Sequence, residues 1–452
     1  MQIEQIRTPG LGDSTYVLHH DGVAVVVDPQ RDVERFQRAV EATGAELRYV
    51  LETHLHNDYV SGGRELARRL GGRVVVPAAG AVAWTDYLPA FHHEDLTAGG
   101  LTIRPVHTPG HTPEHMAYLV LVDGDPVALF SGGSLLIDSF GRPDLLGNER
   151  ARGLAKLQYV TMQRLKELPD DVGLYPTHGE GSFCTASCAG ITVSTIGRER
   201  QMNPLMQYDD EEQFIEAILA PLQPWPRYYR HMGPANLMGP TPAPDPHVPV
   251  IAPEHLPDDV HLVDIRPRDV YAKGHVEGSY GIEFSDQTGV WGGWLIPFNA
   301  TIALVAEEGQ DVVEAVLQFE RIGYDHEIGV VTDLAGLERA FGPLVTNGLE
   351  SYRVVIDKLR NDEPLQILDV RSPGEWEDGH IPGSVWRYVP DLAEQGPPPE
   401  LDPSRPVHIV CGSGYRSNLA VKYLEEAGFE PIVVTDGGVI EILQGLVPST
   451  AG

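Results

Sequence analysis

The sequence predicts a multidomain protein of α/β layers, and three observations predict it. Apolar runs alternate with helix-like stretches through the first half, as at residues 23–27, 32–43, 47–51, 64–70 and 74–76. That strand, helix, strand rhythm is the pattern of packed α/β layers. At 452 residues the chain is too long for one ordinary core, and its length suggests about three domains. After residue 250 the chain repeats itself at an offset of 105, with Leu262-Val263-Asp264-Ile265-Arg266 matching Ile367-Leu368-Asp369-Val370-Arg371 and Gly274-His275-Val276-Glu277-Gly278-Ser279 matching Gly379-His380-Ile381-Pro382-Gly383-Ser384. Repeats of this length are whole domains, not solenoid units. The expected division is 1–245, 250–347 and 350–452.

The composition is globular, with 42% hydrophobic and 22% charged residues. A formal net charge of -32 disfavours nucleic acid and anionic membranes as partners. Three cysteines, Cys184, Cys188 and Cys411, form no disulfide framework and fit a reducing cytosol, so a cytoplasmic protein is expected. The first residues do not read as a signal peptide, and no apolar run approaches the ~18 residues of a membrane span. The expectation is an enzyme acting on small molecules, without nucleic acid or membrane, and a homo-oligomer.

The first half is organised around Thr53-His54-Leu55-His56-Asn57-Asp58-Tyr59, which follows the apolar strand at 47–51 and precedes Gly62-Gly63 and the helix at 64–70. His54 and His56 are two apart on a strand-end loop, so both imidazoles can turn toward one cation. Imidazole suits zinc and iron, with carboxylate as a further ligand type. The strand at 101–106 runs into His107-Thr108-Pro109-Gly110-His111, where Pro-Gly makes a tight turn that holds His111 at a fixed angle. His107 and His115 read as supporting or surface residues. The strand at 127–130 ends in Ser131-Gly132-Gly133-Ser134, and that at 172–174 leads to His178. Cys184 and Cys188 read as two small buried residues. A helix is expected at 209–219. The proline-rich stretch 221–253, with aromatics among its prolines, reads as a linker packed on something.

In the second repeat the strand at 407–410 leads into Cys411-Gly412-Ser413-Gly414-Tyr415-Arg416-Ser417 and a helix over 418–427. A cysteine between a strand and a helix N-terminus sits where inward N–H groups, the helix dipole and Arg416 favour a thiolate. Gly412 and Gly414 let the loop curl. Such a thiolate can accept a sulfane sulfur and pass it on. The first repeat has Ala306 in place of the cysteine and Asp311 in place of the arginine, so it is expected to be a structural or docking domain.

These motifs carry a resemblance. His54-x-His56-x-Asp58 resembles the metallo-β-lactamase superfamily signature, with Tyr59 where that signature has histidine. Thr108-Pro109-Gly110-His111-Thr112 resembles its second metal motif. The N-terminal half looks like the persulfide dioxygenases, and both repeats resemble rhodanese domains, of which the second keeps the Cys-x-x-Gly-x-Arg-Ser loop. The resemblance implies an αββα metallo-β-lactamase sandwich followed by two rhodanese-like doubly wound α/β domains. It implies metal-dependent oxidation of a low-molecular-weight persulfide by O2 to sulfite, joined to sulfur transfer from persulfide or thiosulfate to a thiol acceptor. Catalysis of the transfer would fall to Cys411, with Gly412, Gly414, Arg416 and Ser417 forming its loop. The expected cofactor is Fe(II), with zinc as the alternative. The metal would be held from among His54, His56 and His111, with Asp58, Tyr59 and His178 lining the pocket. Persulfide dioxygenases carry an aspartate ligand where this chain has Gly133. That departure keeps two alternatives open: a zinc thioester hydrolase of the glyoxalase II type fused to a rhodanese, and a metal domain that serves only as a scaffold.

Overall fold

The computed structural model describes residues 1–184, 192–244 and 248–447. They fall into two compact units, one holding residues 1–244 with Leu317–Gly323, the other residues 248–316 and 324–447. Cys188 lies outside the described residues.

The first unit is built on two six-stranded sheets. One has the order β1 (Gln2–Thr8), β2 (Asp13–His20), β3 (Val23–Val27), β4 (Glu46–Leu51), β5 (Arg73–Pro77), β6 (Tyr87–Ala90). Its first three strands run antiparallel and its last four parallel. The other sheet contains β7 (Leu96–Ala98), β8 (Leu101–His107), β9 (Met116–Val122), β10 (Asp125–Gly132), β11 (Gly173–Pro176) and β12 (Ser194–Thr195), adjacent in that order. Residues of both sheets meet in one core: Tyr16, Val25, Leu51 and Val75 from the first, Ile103, Tyr118, Val120 and Phe130 from the second. The outer face of the first sheet packs Val26, Leu47 and Val74 against Phe36 and Val40 of α1 (Glu34–Thr43) and Leu66 of α2 (Gly63–Leu70). The second sheet packs Leu119 and Leu129 against Met162 and Leu165 of α3 (Asn148–Leu165) and Phe214 and Ile218 of α5 (Glu211–Leu219). Between those two helices lies α4 (Ile196–Met202). The result is the αββα sandwich that the resemblance implies, in which each sheet buries one face on the other and one on helices.

The linker reading of 221–253 is only partly met. Within it lies α6 (Tyr229–Met238), with Pro234 inside the helix. A proline in a helix interior argues against a helix on propensity alone; here burial of Tyr229, Met232 and Asn236 supports it. The helix α3 and the β1–β2 hairpin are further elements that the sequence patterns above do not mark.

The second unit contains two parallel sheets. One has the order β14 (Tyr280–Gly281), β13 (His261–Asp264), β15 (Ile302–Val305), β16 (Glu327–Val331); the other runs β17 (Gly348–Ser351), β21 (Pro431–Thr435), β20 (Val407–Val410), β18 (Ile367–Asp369), β19 (Val385–Trp386). The duplication is visible in side-chain detail at the offset of 105. Arg266 donates to Asp264 and, at 2.9 Å, to the Gly274 carbonyl. Arg371 donates to Asp369 and, at 2.8 Å, to the Gly379 carbonyl. Tyr271 stacks on His275 and Trp376 on His380, each with centroids 3.7 Å apart. Among the described residues, no helix is long and apolar enough to cross a membrane.

Candidate metal centre and cysteine loop

The histidines of the first unit converge because each follows the end of a core strand. His54 and His56 follow β4, His111 lies between β8 and β9, and His178 follows β11. All four are buried. The ring of His54 lies 4.1 Å from His56, 4.9 Å from His111, 4.9 Å from His115 and 5.3 Å from His178, centroid to centroid.

Among the described residues, three groups place their ligand atoms within 4.8 Å of one another: His54, His111 and His178; Asp28, His54 and His56; and His56, Asp58 and His178. The structure therefore groups His178, rather than His56, with His54 and His111. One nitrogen of His56 is taken up by carboxylates and a phenol. Its Nε2 lies 3.2 Å from Asp28, 3.4 Å from Glu52 and 3.0 Å from the Tyr59 hydroxyl. Burial works against protonation of His56, yet Asp28 and Glu52 raise its pKa to about 10. Tyr59 stacks on His56 at 4.3 Å and donates to the Asp28 carbonyl.

The His54 and His111 rings are different. Burial, reinforced by neighbouring histidines, holds His54 well below its ordinary range and His111 down at about 3. Both are thus neutral imidazoles, the form that binds metal. His111 Nδ1 donates 2.8 Å to the Arg142 carbonyl, which leaves Nε2 as the lone-pair nitrogen. That Nε2 is buried with no partner. The nitrogens His54 Nε2 and His178 Nε2 stand 3.3 Å apart. Two imidazole nitrogens on one tetrahedral zinc, each at 2.0–2.1 Å, would stand about 3.3 Å apart. On the far side, His178 Nδ1 meets Asp13 at 2.8 Å and Asp58 at 3.3 Å. Burial opposes protonation of His178, but those two carboxylates raise its pKa to about 10. The orphaned His111 nitrogen, the neutral His54 and His111 rings and this spacing fit a single cation, which would replace the proton on His178 Nε2.

Position 133 shows why no aspartate stands there. A Cβ on Gly133 would lie 2.3 Å from His111 Cδ2, and one on Gly141 would lie 2.1 Å from the Gly133 carbonyl oxygen. The His111 ring occupies the space a side chain would need. Gly133→Asp is therefore expected to displace His111 and not to supply a ligand. It should cost about 2–4 kcal/mol, lower the melting temperature and reduce bound metal, as thermal unfolding and elemental analysis would show. Asp138, the nearest later carboxylate, is engaged by Arg198 at 2.7 Å.

Several residues of this centre carried little or no signal in the sequence. Asp28 holds the loop start by accepting from Thr53 N and Thr53 Oγ1, both at 2.7 Å, and from the Thr177 hydroxyl. Asn236 on α6 clamps the loop itself: its amide donates to the His56 and Tyr59 carbonyls at 2.9 Å and accepts from Ser61 N. Only an aspartate closing an apolar strand hinted at the first. Cys184 is buried, with Sγ 3.4 Å from Asp58 and 3.8 Å from the Tyr229 hydroxyl.

In the second unit Cys411 directly follows β20 and is 1% exposed. Its Sγ accepts from Gly414 N at 3.1 Å and more weakly from Ser413 N at 3.5 Å. Gly414 makes this possible by adopting φ 89°, where other residues are strained. The expected single helix is two, Tyr415–Leu419 and Val421–Glu426. Arg416 is turned to Glu375, with bonds of 2.5 and 2.7 Å. Burial opposes ionisation of Glu375, but that guanidinium holds its pKa down at about 2. The sulfur's hydrogen bonds thus come from the backbone, while Arg416 ties the loop to the helix Pro373–Glu377. Ser417 is buried in the turn behind it. In the first copy Ala306 follows β15 and is buried.

Sequence comparison matches residues 7–178 to the metallo-beta-lactamase superfamily and residues 354–444 to the rhodanese-like domain. The chain is 29% identical to the mitochondrial persulfide dioxygenase ETHE1 of Homo sapiens over 52% of this chain and 87% of that one. It is also 29% identical to a hydroxyacylglutathione hydrolase of Bradyrhizobium sp., over 44% of this chain and 85% of the relative. A crystal structure of a metallo-beta-lactamase from Staphylococcus aureus superposes with a TM-score of 0.68 at 27% identity, covering 74% of this chain and 99% of that one.

Proposed function

For a chain that joins a metallo-β-lactamase superfamily domain, with persulfide dioxygenase homologues, to a C-terminal rhodanese-like domain, we propose a sulfur-handling enzyme with two activities. Cys411 transfers sulfane sulfur, and the first unit oxidises a low-molecular-weight persulfide to sulfite. The observation that carries the reading is the Cys411 sulfur set against the Gly414 N–H at 3.1 Å.

In the transfer, the Cys411 thiolate attacks the outer sulfur of thiosulfate or a persulfide. The donor S–S bond breaks, and sulfite or a thiolate leaves with the electron pair. The sulfur now carried on Cys411 bears the negative charge, and the loop N–H groups stabilise it. An acceptor thiolate then takes that sulfur and returns Cys411 to the thiolate.

In the first unit, His54, His111 and His178 would hold one metal ion. Iron, when bound, supplies the redox chemistry that lets O2 react with a persulfide; zinc supplies a Lewis acid for hydrolysis. The chain's own part is definite. Asp13 and Asp58 orient His178, the Arg142 carbonyl fixes the His111 tautomer, and burial excludes bulk water from the cluster. In the balance, a persulfide, O2 and water give the thiol and sulfite.

One observation favours a second reading. With no carboxylate at 133, an all-imidazole set suits zinc and hydrolysis of a glutathione thioester. The deciding experiment purifies the protein without oxygen and measures its metals, then O2 consumption with glutathione persulfide. About one iron per chain with persulfide-dependent O2 uptake supports the oxidation. Zinc with thioester hydrolysis and no O2 uptake overturns it. The proposed partners are a persulfide or thiosulfate, a thiol acceptor and O2.

A further inference from the structure

Resting on the sulfur-transfer reading of Cys411, we propose that Arg268 of the cysteine-less copy is a positioning residue for that reaction. It fixes the Ser413–Gly414 peptide so that the Gly414 N–H stays aimed at the Cys411 sulfur.

The geometry is that of one peptide group held at both ends. Its carbonyl, on Ser413, accepts from Arg268 Nη1 at 2.9 Å. Its N–H, on Gly414, donates to Cys411 Sγ at 3.1 Å. In a trans peptide the C=O and N–H point in opposite directions, so fixing one fixes the other. This peptide needs fixing. Gly414 sits at φ 89°, and glycine populates both signs of φ readily. Rotation of the plane would swing the carbonyl toward the sulfur, placing an acceptor where an anion must be held. A charged donor on the carbonyl opposes that rotation and polarises the N–H at the other end.

Arg268 is itself aimed. Its Nε donates to Glu283 at 2.6 Å, and its guanidinium lies 5.9 Å from the Tyr415 ring. Tyr415 donates to the Glu283 carbonyl and accepts from Ser285, both at 3.2 Å. Asn418 donates 2.9 Å to the Gly281 carbonyl. The first copy thus grips the Cys411 loop and the short helix Tyr415–Leu419 after it.

Two further observations separate Arg268 from the shared scaffold. The pairs that the two copies have in common, Asp264–Arg266 and Tyr271–His275, recur at the offset of 105. Arg268 and Glu283 do not, since Pro373 and Tyr388 stand at the matching positions. The loop's own arginine, Arg416, is engaged by Glu375. A cation from the neighbouring copy serves the carbonyl instead. The copy that lost its cysteine has kept a part in the chemistry.

The test uses the full chain with Arg268→Ala and Arg268→Lys. Sulfur transfer from thiosulfate to cyanide and alkylation of Cys411 by iodoacetamide, followed by peptide mass, are both measured. In Arg268→Ala, kcat is expected to fall about tenfold with little change in KM, a fraction of the effect of deleting an anion-binding donor outright. Alkylation should slow about tenfold, because the N–H that stabilises the reacting anion is lost. Arg268→Lys should recover part of both, because it restores a charged donor. General loosening would have the opposite sign: a buried thiol would be alkylated faster. That result, or alkylation and kcat equal to the parent's, overturns the proposal. Absence of transfer in the parent chain would instead overturn the sulfur-transfer reading, and alkylation would still report on the peptide.

Discussion

Cys411→Ser is expected to reduce thiosulfate-dependent sulfur transfer by a factor on the order of 10⁴ or more, the scale seen when a covalent nucleophile is deleted. Two properties of sulfur are lost together. A serine hydroxyl stays protonated at neutral pH, and an oxygen cannot hold a sulfane sulfur as a persulfide does. The replacement is nearly isosteric, so the Gly414 and Ser413 N–H groups keep a partner and stability should change by less than about 1 kcal/mol. Bound metal and any activity of the first unit should be unaffected. A single-turnover experiment checks the cause: parent protein mixed with thiosulfate gains 32 Da at the Cys411 peptide, about the mass of one sulfur atom carried as a persulfide, and the variant does not. Transfer that survives the substitution would place the nucleophile elsewhere.

The second large effect is expected from His54→Ala. This ring is the centre of the cluster, packed against four other imidazoles, and it belongs to two of the three groups able to hold an ion. Its removal leaves His111 and His178 without the nitrogen that completes their set. Metal content should fall from about one per chain to under about 0.1, since a first ligand is lost. Chemistry of the first unit should fall with it, while Cys411 transfer continues. The parent should also lose thermal stability on chelation. A ligand present at 1,000 times its dissociation constant contributes about 4 kcal/mol. The His54→Ala protein should show no such response. Retained stoichiometric metal in the variant would move the site to another group, and His56, Asp58 and His178 would be examined next by the same substitution.

Local sequence determined a good deal. The apolar runs that became β3, β4, β5, β8 and β10 were legible because strands buried on two faces read as continuous hydrophobic segments. The histidines and Cys411 were legible because each stands directly after such a run, where a loop is presented by a rigid strand. The duplication was legible because identical short motifs recur at one fixed spacing, and the structure repeats the same arginine–aspartate pairs and ring stacks at that spacing. The mismatch at Gly133 was legible as a departure, though not its cause.

Tertiary structure alone decided the rest, and the reason is common to each case. A ligand's role depends on which way its ring turns, and that is set by partners far away in the chain. The Nε2 of His56 is held by Asp28 and Glu52. His178 is brought in against His54 and held by Asp13, 165 residues away in sequence. Asn236, inside a stretch whose prolines disguise a helix, clamps the loop of His54 and His56. Arg268 reaches the carbonyl of Ser413 across 145 residues. Periodicity and propensity describe contacts within one turn or one strand. These hydrogen bonds join segments that become neighbours only when buried polar groups must find partners, and that requirement selects them once the sheets have packed.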